Sequence, residues 1–351
     1  VTAAEDLPLD ENHPRAVAER FARFARDEAP GRSETYRRWA VGVAGDDGVC
    51  EILARIPATH RQPPLVFAVA RLLGAPSGDY EAWAEFVRAH ADAVVAECAA
   101  RTLQTNEPLR CAALLPALAL VDGPIALLEL GASGGLCLYP DRYAYRYRSG
   151  DGAREHAPAG GSAVRLDADL RGAVPAPLER DATPMPDIVW RAGIDLHPLD
   201  ARRPADRAWL EGLVWPEERE RAARVAAALD VVAADPPLLV AGDAADVDLV
   251  RRVAAQAPAE ATLVVTTPGV LPYVPRARRD ALIRALRAEP ADAAAIRAGA
   301  VRWITLDQPG LHDAWVPPID RDTWPGFALA LDGRVLAAAD PLGSWIDWRA
   351  A

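Results

Sequence analysis

Ile125-Ala126-Leu127-Leu128-Glu129-Leu130-Gly131-Ala132-Ser133-Gly134-Gly135-Leu136 is the stretch that decides how this chain is read. A short apolar run ending in glycine is the pattern of a parallel strand buried on both faces. The Gly-rich turn after it opens toward a helix start, and two chemistries share that outline. In one, Glu129 to Gly135 is the Glu-x-Gly-x-Gly-x-Gly loop of nucleoside-binding folds, with Ser133 in the middle glycine position. Absent side chains there let backbone approach a ligand closely, and Glu129 sits beneath the loop near the ligand's amine. In the other, Gly131 to Gly135 is Gly-x-Ser-x-Gly, a hydrolase nucleophile elbow with Ser133 as nucleophile and His312 and Asp243 as nominal partners.

What precedes the turn favours the nucleoside reading. From Pro14 to Val121 every periodic segment reads as helix, beginning with Val17, Phe21 and Phe24 on one face. Ser33 and Asp47 are placed to cap helices, Pro63 and Pro64 open another, and Asp79 starts a long one through Val94. A nucleophile elbow ordinarily follows several strands and an oxyanion-hole segment, and no His-Gly-Gly occurs here. The grammar changes at Asp122-Gly123-Pro124, which places a boundary between a helical lobe, 1–121, and an α/β domain, 122–351.

Beyond the turn, apolar and helical runs alternate. Strands are expected at 188–194, 237–241, 261–266 and 300–306, with helices near 204–213, 216–233, 246–256 and 275–288. The rhythm predicts a Rossmann-like, doubly wound, mostly parallel sheet. Phe327 to Leu331, Asp332-Gly333 and Arg334 to Ala338 read as a C-terminal antiparallel hairpin, because Asp-Gly supplies positive φ angles. Between about 140 and 186 the pattern breaks. Tyr143, Tyr145 and Tyr147 alternate like a strand face, and the segment reads as an insertion forming a hairpin lid.

A doubly wound sheet delivers ligands to the carboxyl ends of its strands. Two carboxylates fall there: Asp195 is expected to accept from ribose hydroxyls, and Asp243 from an adenine amine with backbone help from Ala244. Each has an equally good reading as a helix cap. Together with Glu129, Gly131, Ala132, Ser133 and Gly135 they form the expected nucleoside site.

Composition narrows the classes further. The 351 residues exceed the roughly 250–300 at which single cores stop growing, in keeping with two lobes. A net charge of −11 with no isolated arginine cluster argues against a nucleic-acid partner. The chain contains no lysine, which excludes pyridoxal, lysine imine and Walker-type phosphate chemistry. Cys50, Cys98, Cys111 and Cys137 are dispersed and read as buried thiols of a reducing cytosol, with no metal site. Val1 to Asp10 lacks the charged start and apolar run of an export signal, and no apolar run approaches the roughly 18 residues of a membrane span, so a cytoplasmic protein is expected.

The chain resembles a family over nearly its whole length: actinobacterial proteins of unknown function predicted to carry the class I methyltransferase fold. The likeness rests on several segments. These are Gln104-Thr-Asn106-Glu107 through Arg110 with Cys111 to Pro116, Leu128 to Leu136 with Asp141-Arg-Tyr143, Gly193 to Asp200, and Val214-Trp-Pro-Glu217. It implies S-adenosylmethionine as cofactor, and it implies that Asn106, Glu107 and Arg110 face the Gly-rich loop. Thr266-Thr267-Pro268-Gly269 and Leu306-Asp307-Gln308 stand where the family tends to show other residues. Both lie at strand carboxyl ends, where a substrate would be met.

The function expected is therefore methyl transfer to a small molecule, with Thr266 and Thr267 at the substrate and His197, Asp307 or Glu107 as a base where the acceptor must lose a proton. Three rivals stand beside it. One keeps the pocket for elimination or ring closure on a specialised metabolite, one is the serine hydrolase, and one is a non-catalytic binding partner. The last would use exposed tryptophans among Trp39, Trp83, Trp209, Trp215 and Trp324, for most of which core packing is the simpler reading.

Overall fold

A computed structural model describes residues 12–150, 152–179, 185–289, 292–297, 299 and 301–350. The helices in chain order are α1 (Pro14–Asp27), α2 (Glu34–Ala44), α3 (Asp47–Ala54), α4 (Pro63–Leu72), α5 (Tyr80–Ala89), α6 (Ala91–Ala100), α7 (Arg110–Leu118), α8 (Pro204–Gly212), α9 (Arg219–Ala234), α10 (Val247–Ala254) and α11 (Arg276–Leu286). The strands are β1 (Ile125–Leu130), β2 (Ala144–Ser149), β3 (Gly152–His156), β4 (Arg165–Gly172), β5 (Ile188–Asp195), β6 (Leu238–Ala241), β7 (Thr262–Pro268), β8 (Val301–Asp307), β9 (Phe327–Leu331), β10 (Arg334–Ala339) and β11 (Trp345–Trp348). Contacts divide the chain into two units. One joins the residues up to Thr105 to Pro204–Ala223, and the other joins Asn106–Arg203 to the residues from Arg224 onward.

The first unit is helical and organised by aromatic rings. Phe67 on α4 lies with its ring centroid 4.9–6.1 Å from those of Phe21, Phe24, Tyr36, Trp39 and Trp83. Trp215 joins Phe24 and Tyr36, and α8 packs on α4. Trp39, Trp83, Trp209 and Trp215 are thus buried, which removes them as an exposed aromatic surface for a protein partner. Ser33 caps α2 as its position suggests, but Asp46 rather than Asp47 caps α3.

The long helix expected from Asp79 to Val94 is two helices broken at His90. Asp79 caps α5, and the break comes where the His90 ring stacks on Phe86 and its Nδ1 donates to the Phe86 carbonyl. That carbonyl also accepts the His90 backbone N–H, and the residue leaves helical geometry with φ −120° and ψ 28°.

The lobe boundary also moves from the position expected at 121/122. The apolar residues of α7 pack against β4, β8 and β9, so this helix belongs with the sheet, while α8 and Trp215 belong with the first unit. A helix cannot reveal in its own periodicity which neighbour will cover its apolar face.

The second unit is a mixed α/β structure whose eleven strands run in the order β3-β2-β4-β11-β10-β9-β8-β7-β1-β5-β6. From β6 to β8 every pairing is parallel. The chain steps outward from β1 to β5 and β6, then returns to the other side of β1 for β7 and β8, which makes β1/β7 a topological switch point. Even-numbered residues of β1 (Ala126, Leu128, Leu130) join Ala192, Ile194, Leu263, Val265 and Trp303 under Val250 and Val253 of α10 and Leu282 and Leu286 of α11. Strand alternation turns Glu129 to the opposite face.

The hairpin β9/β10 forms around Asp332 (φ 53°) and Gly333 (φ 85°) as the Asp-Gly pair predicts. It does not close the sheet. β11 continues it antiparallel to β10, then pairs in parallel with β4, and β2 and β3 follow. The segment expected as a lid is therefore the far edge of the sheet. Tyr143, Tyr145 and Tyr147 are buried there, their hydroxyls donating to the carbonyls of Leu136, Pro140 and Ala112 at 2.7, 2.5 and 2.9 Å. Residues 151 and 180–184 of this segment lie outside the described residues.

Among the described residues, no helix is long and apolar enough to cross a membrane. All four cysteines are buried free thiols.

Candidate functional site

The turn after β1 has Gly131, Ser133 and Gly135 at φ 78°, 50° and 76°. The two glycines meet the rule that left-handed backbone favours a residue without Cβ. Ser133 is one of only two non-glycine residues with positive φ among those described, and the protein itself holds it there. Its N–H donates to Asp195 Oδ2 at 2.8 Å, and the next N–H, of Gly134, donates to Asn106 Oδ1 at 3.1 Å. The other Asp195 oxygen accepts the N–H of His197 at 2.9 Å.

The glycines serve packing rather than open approach. A Cβ on Gly131 would stand 2.6 Å from Val270 Cγ2, and one on Gly135 would stand 3.2 Å from Pro237 Cγ. Ala132 is buried and occupies the space left by the missing side chain of Gly193. The turn is thus covered on its Gly131 side and tied down through two N–H groups, contrary to the open backbone expected of it. Asp195 keeps acceptor capacity, since a carboxylate has about four lone-pair sites and two are used.

Beneath the turn lies a buried carboxylate. Glu129 is buried at the end of β1, in register with Gly193 on one side and Thr266 on the other. Its Oε2 has no hydrogen-bond partner. Burial lifts its pKa well above the ordinary carboxylate value, and the nearby Cys137 and Asp195 add to the rise while the Arg110 charge opposes it. Asn106, also buried, spends its oxygen on Gly134 and leaves Nδ2 without an acceptor.

Arg110, at the start of α7, is anchored by Nε to the Pro341 carbonyl at 2.9 Å and by Nη1 to the Pro268 carbonyl at 3.1 Å. Close by is Gly269, where a Cβ would stand 3.3 Å from Arg110 Nη2. A buried acceptor at the end of β1, a buried donor at the turn after it and a guanidinium at the end of β7 thus belong to one region, and the Arg110 charge is felt at Glu129.

Asp307 ends β8 fully buried. Its Oδ2 accepts from Thr305 Oγ1 at 2.6 Å, the Gly269 backbone also donates to it, and Oδ1 has no partner. Burial pushes its pKa up to about 8 against the pull of Thr305 and Arg110. Thr266 shares the face of Glu129, whereas Thr267 is turned to the other face, where its Oγ1 accepts from Trp303 Nε1 at 3.0 Å.

Other expected residues have different tasks. Glu107 pairs with Arg224 at 2.9 Å and accepts the N–H of Leu109 at 3.0 Å, which makes it a charge-paired brace at the start of α7. His197 is exposed in the turn after β5. Asp243 accepts the N–H of Ala245 and pairs with Arg278, and Asp246 is the residue that caps α10. Ala244 is buried against the α10 and α11 core. The hydrolase partners are not in a relay. His312 stacks on Trp315 with centroids 4.1 Å apart, and its Nδ1 accepts from the Ala314 N–H rather than facing Asp243.

A family model described as "uncharacterized protein conserved in bacteria (DUF2332)" matches residues 18–348. The chain belongs to this DUF2332 family. The expected resemblance to an uncharacterised bacterial family therefore holds, and the match spans both units. No curated protein and no solved structure matches the chain. Of the residues the resemblance points to, Asn106 accepts the N–H of Gly134, while Arg110 is held by the carbonyls of Pro268 and Pro341. Val270, which covers Gly131, and Arg224, which neutralises Glu107, carry no local signal that sequence could have offered. Both act across long sequence separations.

Proposed function

We propose that the second unit is a Rossmann-like domain of the class I methyltransferase type, that it binds S-adenosylmethionine at the β1/β7 switch point, and that it acts on a small molecule. The observation that carries this reading is the pairing of an unpartnered buried acceptor, Glu129 Oε2, with an unpartnered buried donor, Asn106 Nδ2, beside the Arg110 guanidinium. Unsatisfied buried polar atoms are rare and costly, about 1–3 kcal/mol each. A ligand with an α-amino acid end satisfies both at once, its ammonium toward Glu129 and its carboxylate toward Asn106 and Arg110. Asp195, at the end of the neighbouring strand, has lone pairs left for hydroxyl groups.

When bound, S-adenosylmethionine supplies an electrophilic methyl group. The chain's own part is to hold the cofactor's polar ends and to orient an acceptor at the carboxyl edge of the sheet, and such positioning supplies up to about 7–11 kcal/mol of a barrier. Asp307, protonated up to about pH 8, is placed to give or take a proton at that edge.

Equilibrium dialysis with methyl-labelled S-adenosylmethionine and with its demethylated product tests the reading. Both should be retained by the wild type. Asn106→Asp, which keeps the acceptor for Gly134 but replaces the donor, should weaken both. No retention of either at about 1 mM, where even millimolar affinity registers, would refute the assignment.

The buried Asp307 specifically favours one alternative within the same pocket: elimination or ring closure on a metabolite, a proton-transfer chemistry in which a group poised near neutrality is most useful. Turnover in which the label never leaves the cofactor would select it.

A further inference from the structure

We propose that a second cavity, between α11 and the turn that follows β8, is a binding site for the phosphate group of a soluble phosphomonoester. The cavity has a volume of about 340 Å³ and is lined by Arg276, Arg279, Arg284 and Arg287 on one side and by Gly310 to Ala314 on the other. That volume falls within the range of small-ligand sites, roughly 300–1,000 Å³. Nothing in the cofactor reading uses these residues, so the two proposals stand separately.

Two independent observations point to an anion. The first is charge. Four arginines and only two acidic residues, Asp280 and Asp313, line it, in a protein whose net charge is −11. Asp280 is already engaged, loosely, with Arg276 at 3.8 Å. The excess of two positive charges matches a phosphate dianion better than a carboxylate, and arginine is the side chain whose planar fork suits phosphoryl oxygens.

The second is a buried donor with nothing to receive it. His312 lines the cavity and is only 8% exposed. Its Nδ1 accepts from the Ala314 N–H at 3.2 Å, which places the ring proton on Nε2, and Nε2 has no partner. Arg279 Nε is likewise buried without a partner, although its Nη1 holds the carbonyls of Leu271 and Val274, both at 3.3 Å. A phosphate oxygen is an acceptor of the kind that both N–H groups lack.

The ring reports the field around it. Burial, Arg279 and Arg287 push the His312 pKa down to about 4 against the opposing pull of Asp313 and Asp280. The rings packed on it are those of Trp303 and Trp315, and Arg276 and Arg284 line the same cavity. An anion seated among the arginines should reverse that depression.

Calorimetric titration of the full chain with inorganic phosphate and with glycerol 3-phosphate at fixed chloride tests the site, with acetate as the singly charged control. Phosphate should bind and acetate should not. The double variant Arg284→Gln/Arg287→Gln changes two exposed side chains that the fold does not need, and it should bind at least about tenfold more weakly. Arg15→Gln on α1, in the other unit, should bind like the wild type. In nuclear magnetic resonance titrations, saturating phosphate should raise the His312 pKa by at least about one unit, which by reciprocity is about tenfold tighter phosphate binding to the protonated imidazole. Phosphate affinity unchanged in the double variant, equal binding of acetate, a His312 pKa unmoved by phosphate, or no phosphate binding would each overturn the proposal.

Discussion

Glu129→Gln should stabilise the unliganded protein while weakening its grip on the cofactor. The sign follows from burial. Glu129 has its folded pKa raised well above its ordinary value of 4.5, so the folded state holds a proton that the unfolded state releases. Stability is then full at low pH and is lost as pH climbs from about 4.5 toward the folded pKa. Glutamine keeps the shape and cannot ionise, so the variant escapes that loss.

Each unit of pKa shift corresponds to about 1.4 kcal/mol, and an unsatisfied buried group costs about 1–3 kcal/mol. The variant should therefore gain about 1–3 kcal/mol over wild type at pH 8, shrinking toward zero at pH 4. On binding, glutamine keeps a carbonyl acceptor but loses the charge that strengthens its hydrogen bond to an ammonium; a charge-assisted bond is worth about 1.5–3 kcal/mol, so the dissociation constant for S-adenosylmethionine should rise several-fold, up to about 150-fold. Urea unfolding at pH 4, 6 and 8, with binding measured alongside, checks both halves. A variant that is less stable at pH 8, or one that binds as wild type does, refutes the reasoning.

Asp307→Asn should behave similarly without touching the amino acid end. With the pKa pushed up to about 8, wild-type stability should decline between about pH 4 and 8 and then level off, and the asparagine variant should lack that decline in urea unfolding. Gly131→Ala should cost about 1–3 kcal/mol, because φ is 78° and the new Cβ meets Val270; Val270→Ala in the same chain should recover part of it in thermal unfolding. Larger substitutions at Gly131 would fail through packing and strain alone, so loss of binding there says nothing about a ligand. Phe67→Ala, at the centre of the aromatic cluster, should cost about 3–5 kcal/mol by denaturant unfolding of the helical unit. A fluorophosphonate probe should leave Ser133 unlabelled, since His312 is turned to the Ala314 backbone; mass spectrometry of treated protein decides it.

The elements legible in the sequence were those whose signal is local. β1 and residues 263–265 of β7 are apolar and buried because parallel strands are covered on both faces, β5 and β8 are apolar around a single arginine each, and the Asp332-Gly333 turn declares its hairpin through backbone chemistry. β11 and the β2 to β4 edge were missed as sheet members because their pairing, Trp345 beside Asp169, joins segments far apart in the chain. The break at His90 is hidden for a different reason: the spacing from Trp83 to Val94 stays helical, and only the backbone of His90, whose ring and N–H both bond the Phe86 carbonyl, leaves helical geometry.

At the site, Glu129 and Asp195 could be placed because strand carboxyl ends are where such sheets present side chains. The meeting of Asn106 with Gly134, and the cover that Val270 gives Gly131, depend on tertiary packing that no local pattern encodes. In the proposed function, those contacts shift the weight of recognition from the glycines to the carboxylate below them.

The most direct measurement is proton linkage on binding. Titrating the wild type with S-adenosylmethionine in two buffers of different ionisation enthalpy should show net proton release, because burial raises the Glu129 pKa and an ammonium beside it draws the proton off, and Glu129→Gln should release none. Binding with no proton release from the wild type, or the same release from both proteins, would contradict the assignment of Glu129 as the cofactor's anchor.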